Sequence, residues 1–327
     1  SSMIRQKAQY TIRTFNPAAD EYAAIVAVYN QANEFEKGSA ASWQHWDKNR
    51  APERLFRRYV VEQAGNIIGY GFSMKPDTAV NRFHLAIHLP PQHQTAGLIG
   101  DFYTYIIDNC RQHGAIGFTT KVRDGASSKM DWLTQNGFQP VMRYPLSTLN
   151  VPAFDSVPYA GLFDKMAKQG VEIVSLAELS LRDADWQKRV YDLDVIISED
   201  VPSPHPYTHA PFHLYAQREF ENPQFAPEDW FVAVMDGQYV GMTVFEKVGE
   251  DTEMLQTSFT GVFKAYRRRG IALALKVRSI QYAQSLGTRL IIANNEENNP
   301  MYQINLALGF EPQPADVDWE RVEKTTK

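Results

Sequence analysis

Cysteine is nearly absent from this chain of 327 residues: Cys110 stands alone, which excludes an intrachain disulfide. Its surroundings, IIDNCRQHG, carry no metal-ligand spacing, so a buried structural thiol is expected. Excess positive charge is also missing. Lys and Arg number 33 against 38 Asp and Glu, giving a net charge of −5 and a pI near 5.9. A nucleic-acid partner would leave a basic footprint, and none is expected here. No apolar run reaches the length that spans a bilayer, so no membrane partner is expected. The opening SSMIRQKAQ lacks the apolar core of a signal peptide, and its serines read as a cloning remnant. With the lone thiol, this leads to the expectation of a cytoplasmic protein. No His-x-x-x-His pair occurs on a helical pattern, so no metal is expected.

What the chain does have is apolar material for two cores, at 44% apolar and 12% aromatic residues. It is also written twice. The hairpin signature YVVEQAGNIIGYG returns as WFVAVMDGQYVGM, placing Gly65 and Gly69 172 positions before Gly237 and Gly241. Gly97 lies 173 positions before Gly270, and Gly137–Phe138 lies 172 before Gly309–Phe310. Landmarks at one spacing, within a single residue, indicate an internal duplication.

Both halves run in the same order. A strand (TIRTF; VEIVSL) leads through helical segments to the hairpin and a further strand (RFHLAIHL; MLQTSFTGVF). A long helix, a strand (IGFTTKV; RLIIANN), a shorter helix and a final extended piece follow. A hairpin combined with βαβ units predicts an α/β fold with a mixed sheet in each half. The prolines of NVPAFDSVPY suggest domains at 1–152 and 171–327, joined by a linker helix within 153–170.

The stretch YRRRGIALALK, Tyr266 to Lys276, is the most unusual in composition. A β-rich strand, LQTSFTGVF, ends just before it, and an apolar helical pattern starts at Gly270. The first-turn amides of a helix lack intrahelical partners and lie at the positive end of its dipole. Strand, turn and helix start together make an anion site. Glycine and a small residue two positions on let a pyrophosphate approach the backbone, and the arginines add charge-assisted bonds. The alternative reading is a solvated charge run ahead of a core helix.

The pattern R-x-x-G-x-A at Arg267, Gly270 and Ala272 resembles the acetyl-CoA pyrophosphate loop of the GNAT superfamily of N-acetyltransferases. Val262, five residues before that arginine, fits the family's preceding strand. NNEENNPMYQINLALGFEP resembles its terminal Asn, helix and Gly-Phe segment. With the duplication, the chain is similar to tandem proteins built of two GNAT-like domains, an architecture that mycothiol synthase also has. The resemblance implies acetyl transfer from acetyl-CoA to the amine of a small molecule. It places Val262, Phe263, Arg267, Arg268, Arg269, Gly270, Ile271, Ala272 and Asn299 against the cofactor.

The first half departs from the pattern. Its loop reads LPPQHQTAGLIG, with Gln94, Thr95 and Ala96 in place of the arginines and Ile99 in place of Ala272. Loss of charge, and a β-branched side chain projecting into the pyrophosphate space, predict that only the second half binds acetyl-CoA.

Direct attack by an amine needs a backbone donor for the developing oxyanion, which the N–H near Val262 would supply. It also needs a base. An amine with pKa near ~10.4 costs about 4.6 kcal/mol to deprotonate at pH 7, whereas a thiolate with pKa near ~8.5 leaves unprotonated for about 2 kcal/mol. Glu246 and Glu253 are the candidate bases. Where many family members carry a tyrosine acid, four residues before the Gly of Gly-Phe, this chain has Asn305; Tyr302, one turn earlier, is the candidate substitute. Glu199, Asp200 and His205, in ISEDVPSPHPYTHAP, are candidates for acceptor binding, with His209 as a further proton relay. A non-catalytic acyl-CoA sensor is the alternative from another class.

Overall fold

The structure, a computed structural model, describes residues 9–76, 80–200, 204, 209–295 and 299–323. The chain forms two compact units. The first takes in Ser1–Arg143 and Pro314–Lys327, the second Tyr144–Ser203 and His209–Gln313.

The first unit contains β1 (Thr11–Thr14), α1 (Tyr22–Ala32), α2 (Ala40–Lys48), β2 (Phe56–Gln63), β3 (Asn66–Met74) and β4 (Arg82–His88). These are followed by α3 (Ala96–Gln112), β5 (Gly117–Arg123) and α4 (Ser127–Gln135). The next strand, β6 (Gln139–Asn150), carries the chain into the second unit. There follow α5 (Leu162–Lys168), β7 (Val171–Ser175), α6 (Leu176–Arg182), α7 (Trp186–Ser198) and α8 (Phe212–Glu219). The hairpin β8 (Trp230–Met235) and β9 (Gln238–Lys247) leads to β10 (Met254–Val262), α9 (Ile271–Ser285), β11 (Leu290–Asn294) and α10 (Pro300–Ala307). The last strand is β12 (Glu311–Val322).

The sheet of the first unit runs β1-β2-β3-β4-β5-β12, with β4 and β5 parallel and its other pairs antiparallel. That of the second runs β7-β8-β9-β10-β11-β6, with β10 and β11 parallel. The mixed α/β architecture and its repetition agree with the pattern in the sequence.

The final strands do not stay with their own halves. β6 pairs with β11, and β12 pairs with β5 from Asp316↔Arg123 to Val322↔Gly117. Each sheet is completed by the other half's last strand, so the division at 152 and 171 becomes a division at 143/144 and 313/314. The helix expected as a linker is a packed element as well. Met166 of α5 is buried in one core with Val171, Val262, Ile271 and Leu275.

The cores follow the sheet faces. In the second unit Leu255, Ala293, Val277, Ile280 and Phe310 form the layer beneath α9 and α10. Met242 and Val244 face Val190, Leu193 and Ile197 of α7 on the opposite side. A Cβ on Gly261 would stand 2.0 Å from Ile197 Cγ2, so α7 rests directly on the end of β10. In the first unit Phe102, Ile106, Leu85 and Phe118 form the main core, and Cys110 belongs to it. Burial pushes the Cys110 thiol up to about 11, which leaves it unreactive.

Candidate active site

β10 and β11 run side by side only from Met254↔Leu290 to Thr257↔Ala293. Beyond that point Ser258–Val262 keeps β9 as its only strand neighbour among the described residues, and a bulge at Thr257/Phe259 re-aims the strand. The Phe263 N–H donates to the Val240 carbonyl at 2.7 Å, so Phe263 faces β9. Backbone groups alternate along a strand. Val262 and Thr260 therefore turn their amides to the side where β11 has parted. The Val262 carbonyl on that side accepts from Arg267 Nε at 3.0 Å. The donor expected near Val262 is thus aimed into an open cleft, with Thr260 as a second donor that sequence reasoning missed.

The loop after β10 is held in an unusual conformation. Arg268 has φ 64° and Gly270 φ 85°, both in the left-handed region. Glycine is the residue that adopts this without penalty, and a Cβ there would also lie 3.3 Å from Met166 Cε. The first helical bond of α9 runs from the Ala274 N–H to the Gly270 carbonyl, and no side chain caps the helix. The amides of Ile271, Ala272 and Leu273 are left without helical partners. The Ile271 side chain is buried, and Ala272 packs against the same core.

The three arginines divide their work. Arg267 clamps Val262 and pairs with Asp200 at 2.8 Å. Arg269 lies against Met235 Sδ and over the Tyr266 ring, while Gln169, which follows α5, donates to its carbonyl at 3.2 Å. Arg268 is exposed, with no hydrogen-bond or ion-pair partner among the described residues. Lys165 of α5 adds a cation that the sequence did not suggest: its Nζ lies 3.7 Å from where a Gly270 Cβ would be. The Phe263 ring packs beside Tyr266, 5.8 Å between centroids.

On α10, Asn299 Oδ1 caps its own helix by accepting from the Met301 N–H at 2.9 Å. Tyr302 is half-buried, and its hydroxyl has no partner among the described residues. Asn305 is fully buried, and its amide nitrogen donates to Asn295 Oδ1 at 3.0 Å. That bond ties α10 to Asn295, the residue that follows β11.

The carboxylates gather on the opposite sheet face. Glu246 pairs across strands with Gln256, where β10 begins to leave β11. It lies on the face of Met242 and Val244, toward α7 and α8. Glu246 is exposed, yet desolvation by the surrounding protein raises its pKa. Glu219, the last residue of α8, is pushed up to about 7 by burial first, then by the charges of Glu246 and Asp194. A helix C-terminus also disfavours a negative charge. Asp194 accepts from the Tyr215 hydroxyl at 2.6 Å and from the Ser198 hydroxyl at 2.7 Å. Tyr215, Tyr191, Phe212 and Phe220 form an aromatic wall beside it.

The remaining expectations fare differently. Glu253 forms an exposed pair with Arg289 at 3.2 Å, at the start of β10 and away from the divergence, so it is not placed as a base. Asp200 is tied to the arginine loop rather than to the carboxylate group. Glu199 is an exposed residue at the end of α7. His205 lies outside the described residues. Among the described residues no group of His, Cys, Asp and Glu could hold a metal ion, and no helix is long and apolar enough to cross a membrane.

The first unit repeats this geometry with its openings filled. β4 and β5 part after Leu85↔Thr120, and Gln94 Nε2 donates to the Leu89 carbonyl at 2.8 Å, as Arg267 does to Val262. There, however, Lys129 Nζ donates to the Ile87 carbonyl at 2.8 Å, and the start of α3 is capped by the Thr95 hydroxyl. Burial lowers the Lys129 pKa to about 8. Ile99 is 1% exposed within the core, so it does not project toward the loop, and the steric reason expected for lost binding is incorrect.

Residues 189–310 match the acetyltransferase (GNAT) family. Among curated proteins none matches the sequence. A tandem GNAT protein from the clavulanic acid biosynthesis pathway superposes with a TM-score of 0.71 at 16% identity, covering 97% of this chain and 100% of that one. A GCN5-related N-acetyltransferase from Sphaerobacter thermophilus gives 0.62 at 17%, covering 98% and 99%. A GNAT-family acetyltransferase from Colwellia psychrerythraea gives 0.59 at 13%, covering 96% and 100%. Residues 189–310 are accordingly similar to the GNAT acetyltransferase family, within a chain that has the fold of tandem GNAT proteins.

Proposed function

We propose that the protein transfers the acetyl group of acetyl-CoA to the primary amine of a small molecule, and that the second unit does so while the first is a degenerate scaffold. One contrast carries this reading: the cleft beside β10 opens next to an uncapped, cationic helix start, whereas Lys129 and Thr95 fill the same places in the first unit. The free amides of Ile271–Leu273 with Arg268, Arg269 and Lys165 suit a pyrophosphate, and Val262 and Thr260 suit a thioester carbonyl.

Each residue then has a task. The Val262 and Thr260 amides donate to the carbonyl oxygen as charge develops on it. Glu246 and Glu219 attract the cationic amine, and the ionised form of Glu219 takes its proton. A carboxylate titrating near 7 is suited to act as a base at neutral pH. The aromatic wall keeps that exchange partly dry.

Calorimetric titration with acetyl-CoA, followed by thiol release against a panel of amines, tests the proposal. Binding with turnover is the expected result. Binding without turnover of any amine would favour the acyl-CoA sensor, and no binding would refute both.

A further inference from the structure

Lys276 lies one turn into α9 and is only 1% exposed. Its ammonium has no hydrogen-bond or ion-pair partner among the described residues, and the group facing it is the Phe310 ring, with Nζ 5.7 Å from the centroid. A methionine would fill this space without desolvating a charge, so a lysine here calls for a function.

Its position suggests one. The flanking Leu275 and Val277 enter the cores beneath β10 and β11, and Phe310 follows directly from α10, donating its N–H to the Asn305 carbonyl at 3.0 Å. Lys276 therefore lies on the face of the sheet shared by α9 and α10, the layer that holds Tyr302 and Asn305, over strands that part past Thr257 and Ala293. Asn305 has no ionisable proton, and its amide nitrogen donates to Asn295.

We propose that Lys276 is the proton donor to the coenzyme A sulfur, a role that rests on the acetyl-transfer reading above. As the amine nitrogen bonds to the carbonyl carbon and the carbon–sulfur bond breaks, the electron pair leaves on sulfur and takes a proton from the Lys276 ammonium. The nitrogen gives up its protons to Glu219 and solvent, and solvent reloads the lysine. Burial alone lowers the Lys276 pKa to about 7, and no charged group on β8, β9, β10, α5 or α10 contributes to the shift. That value lies below the usual thiol range, so the transfer to sulfur is downhill.

Bromoacetyl-CoA tests this without an acceptor. Its electrophilic carbon lies two bonds from the sulfur, so a neutral amine beside the sulfur displaces bromide and forms a stable nitrogen–carbon bond. Peptide mass spectrometry is expected to find the label on Lys276, rising through about pH 7 and blocked by excess coenzyme A. Lys276→Met and Lys276→Gln are expected to bind coenzyme A with unchanged affinity and to remain unlabelled there. Labelling of Tyr302 or another residue instead, or none while the probe is bound, overturns the assignment. Failure of the unaltered protein to bind coenzyme A at all overturns the acetyl-transfer reading itself.

Discussion

Replacing Glu219 by Gln separates stability from activity. In the folded chain this carboxyl titrates near 7, against 4.5 as its ordinary value. The raised value means that the folded state holds its proton over a range where the unfolded chain has lost it. Stability therefore falls as pH rises from about 4.5 to about 7, and the deficit is complete above that. The shift corresponds to about 3 kcal/mol at most, and partial solvent contact reduces it to about 2. Glutamine keeps the shape and removes the charge, so E219Q is expected to be more stable than the parent at pH 8 by roughly that amount and equal to it below pH 4.5. Loss of a general base costs about 10²–10⁴-fold in turnover. Urea unfolding at two pH values gives the stability, and thiol release from acetyl-CoA gives the rate. With Glu219 as base and Lys276 as acid, the parent rate is expected to rise toward about pH 7 and fall above it, and the ascending limb is expected to be lost in E219Q. A variant with parental rate and pH profile, or one destabilised at pH 8, would refute the reasoning.

Further substitutions probe the loop and its supports. The double replacement R268A/R269A is expected to weaken acetyl-CoA by about 10–100-fold per lost charge-assisted bond, with weaker salt dependence, measured by calorimetry. Gly261→Ala puts a Cβ 2.0 Å from Ile197 Cγ2 and is expected to lower stability by about 1–3 kcal/mol in urea unfolding, while Gly161→Ala, with nothing near its Cβ and φ −83°, meets no such contact. Asp200→Asn removes an exposed pair and is expected to change stability by less than about 1 kcal/mol, again by urea unfolding.

Much of this was legible in the chain. Strands, helices and the duplication declare themselves through local periodicity and turn residues, and the arginine loop through a strand, a glycine and a helix in sequence. Strand exchange was not legible, because the residues of β6 and β12 specify extended structure and a buried face but not which neighbour supplies the partner. The side-chain direction at Ile99 was misjudged for a related reason: α3 begins at Ala96, two residues earlier relative to its glycine landmark than α9 does, and Ile99 turns inward. Glu219 gave no signal, since a lone glutamate at a helix end is ordinary until folding sets it beside Glu246 and Asp194. Lys129 and Lys165 were hidden likewise, each acting on a strand or loop far along the chain.

The central claim is that one of two similar helix starts is open to a pyrophosphate and the other is closed. A crystal structure with acetyl-CoA tests it most directly. The phosphates are expected on the amides of Ile271–Leu273 and the thioester carbonyl facing Val262 and Thr260, with nothing at the start of α3. Phosphates seated at α3, or at both helices, would contradict it.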